Sequence, residues 1–251
     1  MTDQSFTVHT LSRMLWKSDI ATDPQLANEP ARTIFFQSAV DSALSNFSHG
    51  NPLTSFTLKG KTIYRTKLLS DELVLRKLCT NIKSVRKIKA TNRNVVISNL
   101  LSHLSEGVPY RLYRLDIKSF YESFLIDDIV GYIQDIPGLS PHSKSLIKSL
   151  FEHYRTIGGI GLPRGLALSA LLAEMLMEDF DSRVMAITGV YFYARYVDDM
   201  VILTNCDKGK RAIVEELKTF LPRALRLHET KRGILDVPGH SDLFSICFSC
   251  V

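Results

Sequence analysis

Apolar and polar positions along the chain fall into stretches with two distinct periods. Tyr191-Phe-Tyr-Ala-Arg-Tyr-Val-Asp-Asp-Met-Val-Ile-Leu-Thr204 is rich in aromatic and β-branched residues at both ends and is broken at Val197-Asp198-Asp199. That pattern predicts two strands joined by a tight turn. Leu112, Leu115 and Ile117 predict a buried strand ending at Asp116 and Ile117, and Thr57 to Tyr64 a short hairpin around Gly60. Elsewhere the spacing is helical: Ala39 to Phe47, Val96 to Leu104, Ile129 with Ile133 and Ile136, Ser143 to Arg155, and Ile213 with Leu217 and Phe220. Leu166 to Phe180 is apolar nearly all round at its start, which predicts a buried helix.

At 251 residues the chain fits one large domain or two small ones, and a hydrophobic content of 45% is ordinary for a core-forming protein. The net charge of +5 is compatible with nucleic acid. Its distribution says more: from Arg76 to Arg93 there are seven Lys or Arg residues and no acid. Such a run is either a solvated helix face or a contact for nucleic acid or triphosphate. The start, Met1-Thr-Asp-Gln, is polar, and no apolar run approaches the ~18 residues of a membrane span. A soluble cytoplasmic protein with no membrane partner is expected. Four cysteines do not make a disulfide scaffold. Cys247-x-x-Cys250 lacks a clear fourth ligand for zinc, with His240 as a candidate third. Trp16 reads as a packing anchor.

The candidate chemistry lies in the carboxylates. Asp198 and Asp199, adjacent between two apolar strands, repel each other, and a divalent cation offsets that repulsion. Carboxylate oxygens are what Mg²⁺ prefers, usually one or two of them together with substrate phosphates. The alternative is a β-turn in which Asp simply suits the turn. Asp116 at a strand end would complete a cluster for two metals; alone, it reads as a helix N-cap for the residues that follow. Gly158-Gly-Ile-Gly-Leu-Pro-Arg-Gly165 is a glycine-rich loop but not a Walker loop, because no Gly-Lys-Ser/Thr follows.

Four segments in order carry a resemblance. Tyr196-Val197-Asp198-Asp199 resembles the Tyr-x-Asp-Asp signature of reverse transcriptases. Leu115-Asp-Ile-Lys-Ser-Phe-Tyr-Glu-Ser123 resembles their first catalytic motif, an Asp followed five residues later by an aromatic, here Tyr121. Gly161-Leu-Pro-Arg-Gly165 and the helix after it resemble the nucleotide-site motif usually written Leu-Pro-Gln-Gly, with Arg164 in place of Gln and Ala170 in place of the usual Pro. Leu225 to Leu235 resembles the next motif, whose lysine would be Lys231. With the basic run, the resemblance spans Lys83 to Lys231, 149 of the 251 residues.

The resemblance implies an α+β fold, that of a right-hand polymerase. The fold would be fingers and palm, with an antiparallel palm sheet backed by helices. Residues 1–70 would form an α-helical N-terminal extension, 71–235 the fingers and palm, and 236–251 a tail or the start of a primer-gripping region, the thumb being missing or truncated. Asp116, Asp198 and Asp199, helped by the Ile117 carbonyl, would hold two Mg²⁺ ions, with Mn²⁺ as a substitute. Tyr121 would exclude a 2′-hydroxyl, and Lys231 would lie near the leaving pyrophosphate. Arg86, Lys89 and Arg93 would neutralise triphosphate charge, while Arg164 and Gly165 would contact nucleotide or template. The motifs look most like the abortive-infection, defence-associated reverse transcriptases of bacteria. The implied partners are dNTPs, an RNA template or structured non-coding RNA, nascent DNA, and a second protein subunit or further copies of the chain. Two rivals stay open: template-independent or protein-primed synthesis, and a non-catalytic RNA-binding scaffold.

Overall fold

The computed structural model of the chain describes residues 3–86, 93–205, 207–230 and 233–237. In chain order the elements are α1 (Val8–Ser12), α2 (Lys17–Thr22), a 3₁₀ turn (Pro24–Ala27), α3 (Glu29–Leu44), β1 (Leu53–Leu58), β2 (Lys61–Thr66), α4 (Leu69–Arg86) and α5 (Arg93–Leu104). There follow β3 (Tyr110–Asp116), α6 (Phe120–Ser123), α7 (Ile126–Gln134), α8 (Pro141–Thr156), α9 (Ala167–Met185), β4 (Val190–Tyr196), β5 (Asp199–Thr204), α10 (Lys210–Phe220) and β6 (Gly233–Val237). None of the helices is long and apolar enough to cross a membrane among the described residues.

Two compact units divide the chain. The first takes residues 1–88 and 124–175. Its hairpin β1–β2 turns at Lys59 and Gly60, both with positive φ (49° and 73°), as a two-residue hairpin loop requires. Tyr64 in β2 packs edge-on to Tyr154 of α8 at 4.8 Å. The N-terminal segment folds onto α4: the Asn81 side-chain amide donates to the Gln4 carbonyl and to Ser143 Oγ of α8. Ser140 caps α8 by accepting from the Ser143 N–H at 3.2 Å, with Pro141 in the first turn. Trp16, expected as a packing anchor, is exposed, and what packs on it is the Arg76 guanidinium, 3.7 Å from its ring centroid. Its indole serves a cation rather than the core.

The second unit takes residues 89–123 and 176–251. Its centre is a four-stranded sheet in the order β4-β5-β3-β6, with every neighbouring pair antiparallel. β3 is a central strand and buried at nearly every position, so apolar residues occupy both of its faces. Leu100 and Leu104 of α5 pack against Tyr110, Leu112, Leu203 and Val237. Among the described residues this gives the α+β architecture that the resemblance implies. Asp236 and Val237 belong to strand β6, and Arg111 of β3 ties it in through an Nε–carboxylate bond of 2.5 Å to Asp236. The remainder of the segment 236–251, with Cys247, Cys250 and His240, lies outside the described residues.

Candidate active site

Asp116 and Asp199 are partners in the β3–β5 register. Directly opposed residues of an antiparallel pair point to the same face, with Cβ atoms ~4.5–5.5 Å apart. Asp116 is the last residue of β3, and the short helix after it starts at Phe120. Tyr196 pairs with Asp199 on the other side, which leaves Val197 and Asp198 as a two-residue turn. Past the end of β3, the Ile117 N–H donates to the Asp198 carbonyl at 3.0 Å. The register thus delivers all three aspartates to one end of the sheet. Asp116 is buried, Asp198 half-buried and Asp199 exposed. Among the described residues, no three His, Cys, Asp or Glu side chains are gathered closely enough to hold a metal ion as they stand. The donor chemistry fits a hard divalent cation: two like charges opposed across a ladder destabilise the pair unless a cation is shared between them.

The turn is strained. Val197 has φ 61°, a left-handed conformation that β-branched residues avoid, while Asp198 stays outside that region. A positive φ at only the first central residue is the pattern of a type II′ turn, where glycine is usual. Arg195 meets this turn directly: its Nη1 donates to the Val197 carbonyl at 3.0 Å. The rest of the guanidinium is bound bidentately by Asp181 of α9, at 2.9 Å from Nε and 2.7 Å from Nη2. Tyr193, two residues earlier on the same face of β4, donates to the same carboxylate at 2.5 Å. Burial, then the nearby Asp181 charge, pushes the Tyr193 phenol well above its usual range, so it stays a donor. Neither Arg195 nor Asp181 was selected by sequence reasoning. The available signal was a cation inside an aromatic strand run, which is costly to bury unless it is paired.

A second feature adjoins Asp116. The His228 N–H donates to the Asp116 carbonyl at 2.7 Å and the Lys118 N–H to the Arg226 carbonyl at 2.9 Å, so the segment after α10 runs alongside the end of β3. Between them opens a cavity of about 690 Å³ whose polar lining is Lys118, Lys218, Arg226, His228, Thr230 and one acid, Glu229. Lys118, Lys218 and Arg226 were also missed, being scattered over more than a hundred positions of sequence. Lys231 follows this segment and lies outside the described residues, as does Lys89. Tyr121 sits in α6 with its ring 5.4 Å from that of Phe120.

The other expected residues are placed as follows. Arg86 is the last residue of α4, and its Nη2 donates to the Tyr132 hydroxyl of α7 at 3.1 Å. Arg93 is the first residue of α5, so the basic run is helical at both of its described ends. In the first unit, the Arg164 carbonyl accepts from the Tyr64 N–H of β2 at 2.7 Å. Gly165 has φ 107°, and a Cβ there would lie 2.6 Å from the Tyr64 carbonyl oxygen. The glycine-rich loop thus lies against β2 because this position has no side chain. From Leu53 to Ser70 the hairpin region carries Lys59, Lys61, Arg65 and Lys67 and no acid, and Arg65 sits 5.5 Å from the Phe56 ring centroid.

The chain matches the family model for reverse transcriptase (RNA-dependent DNA polymerase) over residues 61–236. It belongs to the reverse transcriptase family. No curated protein matches it. Among solved structures it is similar to apo telomerase from Candida tropicalis truncated from the C-terminal domain, at 13% identity and a TM-score of 0.46. That match covers 77% of this chain and 51% of the telomerase chain, so this chain spans about half the length of that structure.

Proposed function

We propose that the protein is an RNA-directed DNA polymerase of a bacterial anti-phage defence system, transferring nucleotides from dNTPs to a 3′-hydroxyl. The observation that carries this reading is the Asp116–Asp199 cross-strand pair with the Asp198 carbonyl tied to Ile117. Asp116, Asp198 and Asp199, with the Ile117 carbonyl, are the residues that would hold divalent magnesium. When bound, the metal supplies Lewis-acid stabilisation at the attacking and leaving oxygens of phosphoryl transfer. The chain's own groups then do the positioning. The Lys118, Lys218 and Arg226 cavity beside Asp116 attracts phosphate oxygens, and Lys231 adds charge where pyrophosphate departs. Arg86, Lys89 and Arg93 supply further cations to the triphosphate, Arg164 and Gly165 meet the nucleotide or template, and Tyr121 stands under the sugar to select deoxynucleotides. The defence assignment rests on the resemblance of the motifs to the abortive-infection group.

One observation favours a second reading. Arg164 replaces the glutamine usual in the nucleotide-site motif, which exchanges a neutral amide for a cation. That change suits synthesis without an ordinary template, including synthesis primed on a protein hydroxyl. Labelled-dNTP incorporation with Mg²⁺, measured with and without an RNA template annealed to a DNA primer, separates the two. Product complementary to the added RNA supports templated polymerisation; homopolymer or repeat made without RNA supports the second reading. A co-purifying structured RNA with no incorporation under either condition would replace both with a scaffold role.

A further inference from the structure

We propose that Arg195, held by Asp181, is a positioning residue that keeps the aspartate-bearing turn in its strained conformation. The inference rests on the reading of Asp198 and Asp199 as the catalytic carboxylates, and its test separates the two.

The turn has a reason to relax. Val197 at φ 61° is strained, because its branched Cβ crowds the backbone in the left-handed region. Two hydrogen bonds oppose relaxation, one on each turn carbonyl. Ile117 N–H holds the Asp198 carbonyl from the β3 side. Arg195 Nη1 holds the Val197 carbonyl from the β4 side. The second is charge-assisted and so the stronger.

Arg195 is suited to this as a rigid strut. Its side chain is 2% exposed, against 24% for Asp181. A buried guanidinium is costly unless its donors are satisfied, and Nε and Nη2 are both engaged by Asp181. The planar fork fixes the orientation of Nη1 once the other two nitrogens are locked. Asp181 in turn is held by the Tyr193 hydroxyl, so the carboxylate has little freedom to rotate. The position of Asp198 is thereby referred to α9, a nineteen-residue helix, rather than to the turn alone. A cation placed merely to tie α9 to β4 would need only the carboxylate; the bond to Val197 adds the turn to the same guanidinium.

The test uses the whole chain. Arg195→Gln combined with Asp181→Asn removes both charges together, so no buried charge is left unpaired. Arg195→Lys keeps the ion pair but cannot serve two partners in a fixed fork. Amide hydrogen exchange at residues 196–199 and Mn²⁺ affinity by paramagnetic titration are read for each, with Asp198→Ala alongside. The expected result is turn exchange faster by roughly tenfold or more, with α9 unchanged in the Lys variant. Mn²⁺ binding should weaken in both variants. In turnover, kcat should fall with the dNTP KM unchanged. Wild-type exchange at 196–199 and wild-type Mn²⁺ affinity in a folded double variant, or in Arg195→Lys, would overturn the proposal. If Asp198→Ala leaves Mn²⁺ affinity unchanged, the carboxylate reading falls instead, and exchange at the turn alone decides the role of Arg195.

Discussion

Asp116 and Asp199 face each other across β3 and β5 as the last ladder pair at one end of the sheet. Opposed like charges on neighbouring strands destabilise the pair by about 0.2–1 kcal/mol. On the proposed reading, a divalent cation shared between the two carboxylates would offset that repulsion. It follows that Asp199→Asn should stabilise the metal-free chain, raising its melting temperature by roughly 1–3 °C, and should lose stabilisation by added Mg²⁺. Thermal melts with and without Mg²⁺ check both halves.

Tyr121 is expected to select the sugar. Tyr121→Ala would open space beneath the ribose and raise ribonucleotide incorporation relative to deoxynucleotide by about tenfold or more. Competition between a dNTP and its NTP at fixed ratio reads this directly. Unchanged discrimination would leave Tyr121 as a packing partner of Phe120.

Gly165 has two reasons to be glycine: its φ of 107° and the 2.6 Å a Cβ would leave to the Tyr64 carbonyl oxygen. Gly165→Ala is expected to cost about 1–3 kcal/mol, read as a lower urea midpoint. Because the loop pairs with β2 through Arg164 and Tyr64, exchange at the Tyr64 amide should quicken in the same variant.

Two carboxyls in the first unit, the buried Asp71 and the half-buried Asp19, predict opposite pH behaviour. Burial pushes Asp71 above 3.8, although Ser42 donates to it at 2.6 Å. Its folded form binds a proton more tightly, so its contribution is greatest at low pH and declines as pH rises through the raised value. Asp71→Asn should therefore stabilise at pH 7 and lose that gain near pH 4. The Arg76 hydrogen bond holds Asp19 below 3.8, against the effect of burial. Its contribution is present above 3.8 and lost as pH falls through the lowered value. Asp19→Asn should destabilise at pH 7, and the gap should close on acidification. Denaturant melts of both variants across pH 3 to 7 give the two slopes.

Much of the site was legible because strand chemistry has a strict period. The break at Val197-Asp198-Asp199 between aromatic and β-branched runs located β4, β5 and their turn, and Leu112, Leu115 and Ile117 located β3. The pairing that opposes Asp116 to Asp199 depends on register, which is a relation between distant segments and has no local signature. The cations around the Lys118–Arg226 cavity were missed for the same reason. Arg195 and Asp181 stand fourteen positions apart, and only the packing of α9 against β4 joins them. Where Trp16 packs was not legible, because an indole stacks on a guanidinium as readily as it fills a core.

The central claim is that Asp116, Asp198 and Asp199 form one catalytic constellation. The most direct measurement is dNTP incorporation by the wild-type chain beside Asp116→Ala, Asp198→Ala and Asp199→Ala, each confirmed as folded by its melting curve. The account predicts incorporation by the wild type and its loss in all three variants, with melting temperatures at or above that of the wild type for Asp199→Ala. Wild-type rates in the folded Asp198→Ala and Asp199→Ala chains would contradict it.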